Sequence, residues 1–326
     1  MELNLKNSQW SLVMLIAPFF LWGTAMVAMK GVILDTTPLF MAGVRLLPAG
    51  MLILAVAAIL RKPQPTSWKA WLWIGLFALV DAAMFQGFLA LGLVKTGAGL
   101  GSVMIDSQPL VVALLSGWLF GEAIGLWGFL GLGVGILGIS LIGLPDDLIF
   151  NLFAAKPNIS LNWENLFNNG EWLMLLASLS MAVGTVTIRY VCRYADAIVA
   201  TGWHMILGGI SLFILSGVWE TQQWVLLDWS GWLALTYSAV FGSAIAYGIF
   251  FYLASQGSLT SLSSLTFLTP VFALGFGKVF LAEVLTPLQW WGVFLTLISI
   301  YLINQREKLP QKLSNLKLLL LKEIGD

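Results

Sequence analysis

Long apolar runs broken by short polar stretches set the pattern of this chain. The runs are continuous rather than alternating. Most approach or exceed the roughly 20 residues that a helix needs to cross a bilayer. In hydrocarbon the backbone must satisfy its own hydrogen bonds, so the pattern predicts helical spans rather than the strands of a closed barrel. Ten spans follow: Trp10–Met29, Pro38–Leu60, Trp71–Leu93, Thr96–Phe120, Ile124–Gly143, Trp172–Tyr190, Ala197–Val218, Trp232–Ala254, Leu259–Phe280 and Pro287–Leu302. Breaks such as Asp35-Thr36-Thr37, Arg61 to Ser67 and Ser255 to Ser258 separate them. Only the linker from Pro145 to Glu171 is long, and it divides the spans into two sets of five.

The two sets are copies. A shift of 161 positions carries Gly87 onto Gly248, Ser102 onto Ser263, Pro109 onto Pro270, Glu122 onto Glu283 and Gly131 onto Gly292. The same shift pairs Gly23-Thr24 with Gly184-Thr185, and a two-residue gap then brings Arg45 onto His204. A fixed internal period of this kind is read as duplicated architecture. The expected division is repeat 1 at 12–143, an extracytoplasmic linker at 144–171, repeat 2 at 172–303 and a cytoplasmic tail at 304–326.

Composition agrees with membrane residence. Of 326 residues, 59% are hydrophobic and 10% charged, against about 25% charged in soluble domains. The net charge of zero makes no case for nucleic acid. The first run is too long for a signal-peptide core and is expected to stay as the first helix. With the N-terminus inside, Lys6, Arg61, Lys62, Lys69, Arg189, Arg193, Arg306 and the tail lysines all fall on the cytoplasmic side, whereas the outer loops and boundaries hold Lys30, Lys95 and Lys156. That bias places both termini in the cytoplasm. An odd number of spans per copy then turns the second copy upside down, an arrangement typical of secondary transporters. The tail Leu309 to Ile324 alternates Lys with Leu, as a helix lying on the membrane surface would. Asn158-Ile159-Ser160 matches a glycosylation acceptor and is read as a chance match.

Several stretches carry a family resemblance: Trp22-Gly23-Thr24, Arg45-Leu46-Leu47-Pro48-Ala49-Gly50, Phe267 to Ala273, and the run Glu283 to Gly292. The chain resembles an EamA-type transporter of the drug/metabolite transporter superfamily. The resemblance implies an all-α integral membrane protein with ten transmembrane helices in two inverted EamA repeats, exporting or exchanging small metabolites. It names no substrate. Asp106 and Gln108 depart from the family pattern, standing where apolar or small residues are usual.

Charge at mid-membrane costs at least about 2.5–3.5 kcal/mol, so each such residue needs a reason. Asp81 and Asp106 lie midway along the third and fourth spans, and their counterparts are Gly242 and Phe267. They are candidates to bind a proton or a cationic substrate group; pairing with Arg45 or hydrogen bonding to Ser107, Gln108 or Gln86 is the structural alternative. Arg45 stays charged and must face a partner, water or an anion such as a substrate carboxylate. His204 is a packed core residue or a pH sensor. Trp22, Thr24, Gln86, Thr185, Tyr247, Ser102 and Ser263 fall on spans that line the cavity in related transporters, and helix-to-helix hydrogen bonding is their other use. Pro109 and Pro270 sit inside the fourth and ninth runs, where a proline removes a backbone hydrogen bond, and are hinge candidates beside the cavity. Glu122 and Glu283 are expected to cap helix ends.

No catalytic, metal or cofactor site is expected, because a lone His204 and a lone Cys192 supply neither a nucleophile–base pair nor clustered ligands. The expected function is a multi-pass secondary transporter for an amino-acid-like or amphiphilic metabolite, working by alternating access, with proton coupling as an option. A receptor, an assembly subunit or an uncoupled channel is the alternative class. Expected partners are a small-molecule substrate, the lipid bilayer and protons, with a homodimer left open. The expected location is the plasma membrane.

Overall fold

A computed structural model of the chain describes residues 8–95, 104–144, 149, 170–281 and 286–309. The linker beyond Leu144 up to Asn169 (Ile149 apart), the Asn158 motif, Ser102, the Gly97-to-Gly101 stretch, Glu283 and the tail beyond Leu309 lie outside the described residues. All regular structure among the described residues is helical.

The polar breaks become helix starts. Ten helical elements follow in order: α1 (Ser8–Lys30), α2 (Pro38–Ile59), α3 (Trp68–Lys95), α4 (Gln108–Phe120), α5 (Gly125–Gly143), α6 (Glu171–Val191), α7 (Ala197–Trp219), α8 (Trp229–Gln256), α9 (Leu259–Ser264 and Leu268–Leu281) and α10 (Pro287–Asn304). Ser67, Asp196, Asp228 and Ser258 each accept from a first-turn N–H of α3, α7, α8 and α9. Thr286 and Gln289 form a capping box on α10. Such caps satisfy donors that would otherwise be orphaned. Nine of the described helices are long and apolar enough to cross a membrane; α4, at 13 residues, is shorter.

Counterpart helices pack antiparallel. Along α2 and α7, Gly43 meets Phe213, Leu47 meets Gly209, Gly50 meets Ile206 and Leu54 meets Gly202. Along α5 and α10, Gly131 meets Ile303, Gly135 meets Ser299, Gly138 meets Thr296 and Ile142 meets Gly292. In both pairs one number rises as the other falls, so the second half runs opposite to the first. Glycine makes the approach close: a Cβ at Gly138 would lie 2.9 Å from the Gly292 carbonyl oxygen. Small residues bring helices together where lipid offers no hydrophobic drive. Further contacts between halves also come in related pairs: α1 with α8 and α9, matched by α6 with α3 and α4, and α2 with α8, matched by α7 with α3.

Four interruptions sit deep in this bundle. Helices α3 and α8 each pass through a π-helical segment, Ala78–Phe85 and Ser238–Ile245. These segments are near-equivalent under the repeat, and π turns cluster at functional positions. Helix α9 is broken by a 3₁₀ turn at Leu265–Phe267. Ahead of α4, the N–H of Ser107 reaches back to the Met104 carbonyl, and Asp106 and Ser107 form a turn. Pro109 and Pro270 therefore do not interrupt helix interiors as expected. Each lies in the first turn after a break, where its missing N–H has no partner to lose.

Two glutamates tie the ends. Glu220, just past α7, accepts from the Leu39 and Phe40 N–H groups at 2.8 and 3.0 Å and from Thr37, capping α2. At the other end Glu122 accepts from Leu259, Thr260 and Ser258, capping α9, and pairs with Arg189 at 3.0 Å. Arg306 completes this cluster through the Ala123 carbonyl and the hydroxyls of Ser258 and Ser261. Partial burial pushes the Glu122 carboxyl upward, but the hydrogen bonds from Leu259, Thr260 and Ser258 outweigh it and hold it below the usual glutamate range. A depressed value stabilises the fold fully above the free-glutamate range of about 4.3, and the gain is lost as pH falls below it through the folded value. Glu122→Gln is expected to lower the melting temperature at neutral pH and to flatten its fall toward acid; an unchanged acid profile would contradict the capping role.

Candidate functional site

The interruptions lie around a partly open pocket between the two halves, with about 800 Å³ of empty space in and before it, open solvent included. Its walls come from α1 (Trp22, Ala25, Met26, Met29), α2 (Arg45), α3 (Phe85, Leu89, Leu93), the start of α4 (Ile105, Asp106, Gln108), α6 (Met174, Met181), α8 (Tyr247) and α9 (Thr266, Thr269, Pro270, Ala273). These residues occupy the middle of the helices and the halves nearest the 31–37 and 220–228 loops. The opposite end carries the Glu122 cluster.

The lining is apolar with a few polar groups, the usual form of a small-molecule site. Arg45 enters from α2 in a side chain only 5% exposed; its Nη2 donates to Ser243 Oγ at 3.4 Å, and its Nε has no partner among the described residues. Gln108 Nε2 donates to Thr185 Oγ1 at 3.2 Å, leaving its Oε1 free. Trp22 Nε1 and Thr269 Oγ1 are likewise buried without a hydrogen bond. Buried polar groups are normally paired, so this concentration on one cavity's walls calls for a ligand or water to complete it. Trp22 packs on Tyr247 at 4.9 Å and edge-on to Phe19 at 5.6 Å, which fixes its ring at the wall.

Most other candidates fall outside the wall. Gln86 donates to Tyr247 Oη at 2.8 Å, a bond between repeat counterparts. Thr24 donates to the Leu21 carbonyl and accepts from Tyr237 at 2.8 Å, joining α1 to α8 rather than lining the cavity. Asp81 meets His204 rather than Arg45, with Oδ2 3.3 Å from Nε2. Thr185 lies behind Gln108, and Ser263 bonds within its own turn to the Thr260 carbonyl. Pro270 is on the cavity wall, and Pro109 starts the helix next to it.

Sequence reasoning passed over the apolar wall, including four methionines. Helical spacing holds the missing signal: Trp22, Met26 and Met29 share a face of α1, as do Phe85, Leu89 and Leu93 on α3. The π segments had no signal in residue type at all.

Antiparallel counterpart helices around one solute-sized cavity define a duplicated, multi-pass helical membrane protein. The sequence profile of the EamA-like transporter family matches residues 9–144 and 168–305, and the chain belongs to that family. It is 62% identical over 304 residues to an uncharacterized transporter of Synechocystis sp., covering 93% of this chain and 92% of that one. It is 50% identical over 300 residues to a chloroplastic WAT1-related protein of Arabidopsis thaliana, covering 91% and 69%. A solved crystal structure shares the fold with a TM-score of 0.73 at 17% identity, covering 92% of this chain and 97% of that one.

Tyr247→Phe removes the acceptor of the buried Gln86 amide. The expected cost is about 1–3 kcal/mol, the range for a buried polar group left unpaired. It is read as a lower melting temperature of the detergent-purified protein, and an unchanged melting temperature would show that the Gln86–Tyr247 bond holds nothing together.

Proposed function

We propose that the protein is a secondary transporter that moves a small organic metabolite through the cavity by alternating access, as an exporter or exchanger. The observation that carries this reading is a methionine-rich pocket, shared by two inverted halves, with one cation and one acid on its wall: Arg45 and Asp106. A zwitterion with an apolar tail suits that wall. Arg45 takes a carboxylate, Asp106 an ammonium, and Met26, Met29, Met174 and Met181 adapt to the tail, as flexible thioethers do. Amino-acid-like and amphiphilic metabolites have this chemistry.

The duplicated fold supports the mechanism, because two mirrored halves give two cavity shapes from one sequence. With the N-terminus inside, the described cavity lies on the extracytoplasmic side and the Glu122–Arg189–Arg306 cluster closes the cytoplasmic end. In this reading α4 and the residues before it complete a tenth crossing. Residues 12–143 and 172–303 are the two repeats, both termini are cytoplasmic, and the membrane is the cell membrane. Breaks beside Pro109 and Pro270 serve as the points of bending. An ion gradient or solute exchange supplies the drive, since the chain carries no phosphate-cradling loop to bind ATP.

Purified protein in liposomes tests this. Saturable uptake of an apolar amino acid, accelerated by the same solute inside the vesicle, is expected. Arg45→Gln and Asp106→Asn should each raise the half-saturating concentration by about tenfold or more, the effect of losing roughly 1.4 kcal/mol or more of charge-assisted binding. Uptake that rises linearly with concentration and ignores internal solute would contradict a carrier.

A further inference from the structure

Asp81 and His204 stand off the cavity wall and face each other, each side chain 1% exposed. The imidazole is fixed on several sides. It stacks on Phe77 at 4.0 Å and meets Phe251 edge-on at 5.5 Å, and its Nδ1 lies 2.5 Å from the Thr201 carbonyl oxygen. A carbonyl oxygen can only accept, so Nδ1 carries a hydrogen. In the neutral ring that leaves Nε2 with a bare lone pair, aimed at Asp81 Oδ2 from 3.3 Å. An ionised carboxylate is also acceptor-only. Two acceptors facing each other without water repel, and the buried pair would carry an uncompensated negative charge. One additional proton between Nε2 and Oδ2 removes both penalties, as a carboxylic acid donating to the ring or as an imidazolium donating to a carboxylate.

We propose that Asp81 and His204 together form a one-proton site, separate from the solute cavity, whose loading and release drive the transport cycle. Its use in coupling rests on the transport reading above; the proton site itself does not. Loaded, the pair holds Nδ1–H plus one shared proton and is neutral. Release of that proton gives a carboxylate and a neutral imidazole, net charge −1, with nothing between the two facing atoms. The contact then fails and the carboxylate must turn to another donor.

The surroundings fit a carboxylate held for such a change. Asp81 lies within the π segment of α3, and its Oδ1 has no hydrogen-bond partner among the described residues. Gly184 of α6 makes the room, since a Cβ there would collide with Oδ1. The titratable groups of α6, Arg189 and Tyr190 among them, lie at its ends, and α7 carries His204 alone. From α8, Tyr247 touches α3 through its hydroxyl, which accepts from Gln86, and shares the cavity wall with Arg45 of α2. Asp106, at the start of α4, shares the cavity wall with Tyr247 and Arg45. Loss of the shared proton therefore changes the charge on the helix that Tyr247 joins to the solute wall.

His204 is the one histidine in the chain, so nitrogen-15 labelling of histidine reports on it alone. NMR of the purified protein across pH is expected to show Nδ1 protonated throughout. Nε2 should pass in a single step from a proton-sharing to a bare nitrogen as pH rises. In Asp81→Asn the amide donates to Nε2, the ring stays neutral, and that step should disappear. A neutral wild-type ring with its hydrogen on Nε2 would overturn the proposal, as would an unaltered step in Asp81→Asn. The wild-type tautomer decides the matter even if the variant fails to fold. A pair that titrates as expected in a protein whose liposome flux ignores a pH gradient would leave the proton site standing and sink its coupling role; absence of any flux would sink the transport reading alone.

Discussion

Close antiparallel contact between counterpart helices is the constraint on which the structure depends. A bilayer supplies little hydrophobic drive for helix association, so the halves must hold each other by tight packing and hydrogen bonds. Glycines do this along two seams. Gly50 and Gly202 bring α2 onto α7, and Gly131, Gly135, Gly138 and Gly292 bring α5 onto α10. Because each seam joins a helix to its own repeat mate running the other way, the halves are inverted by construction. The cavity between them then borrows walls from both.

The ends of the bundle are held differently from its middle. Glu220 and Glu122 each use a carboxylate from one half to cap a helix of the other, which joins the halves at opposite ends by charge-assisted bonds. The middle is looser. Helices α3, α8 and α9 lose regular α-helical bonding there, and a turn precedes α4. Buried polar atoms on Arg45, Gln108, Trp22 and Thr269 collect around that loosened layer. A transporter needs this combination, with rigid seams to transmit movement and irregular backbone where the solute binds.

Much of the fold was legible because lipid imposes a coarse code. Run length gave the helices, and the offset of 161 gave the duplication. Polar breaks such as Ser67, Asp196 and Ser258 turned out to be caps. The fourth span was read as continuous from Thr96 to Phe120; its start lies outside the described residues, and a turn at Asp106 and Ser107 separates Met104-Ile105 from the helix that begins at Gln108. The prolines were misplaced for a related reason. Their ring forbids a helix interior but suits a first turn, and composition alone does not show where a helix restarts. At the site, the charged residues stood out because charge is costly in lipid, whereas their partners did not. Asp81 pairing with His204 rather than Arg45 depends on helix rotation, which no residue type announces.

The central claim is that polar groups of both halves converge on a water-accessible cavity inside an otherwise lipid-facing bundle. Single cysteines placed in a Cys192→Ser background test it directly, at the cavity positions Met26 and Thr269 and at the outward-facing positions Leu79 and Leu126. Labelling in native membranes with a water-soluble, membrane-impermeant thiol reagent should modify Met26→Cys and Thr269→Cys and spare Leu79→Cys and Leu126→Cys. Unreactive cavity positions beside modified outward-facing ones would contradict it.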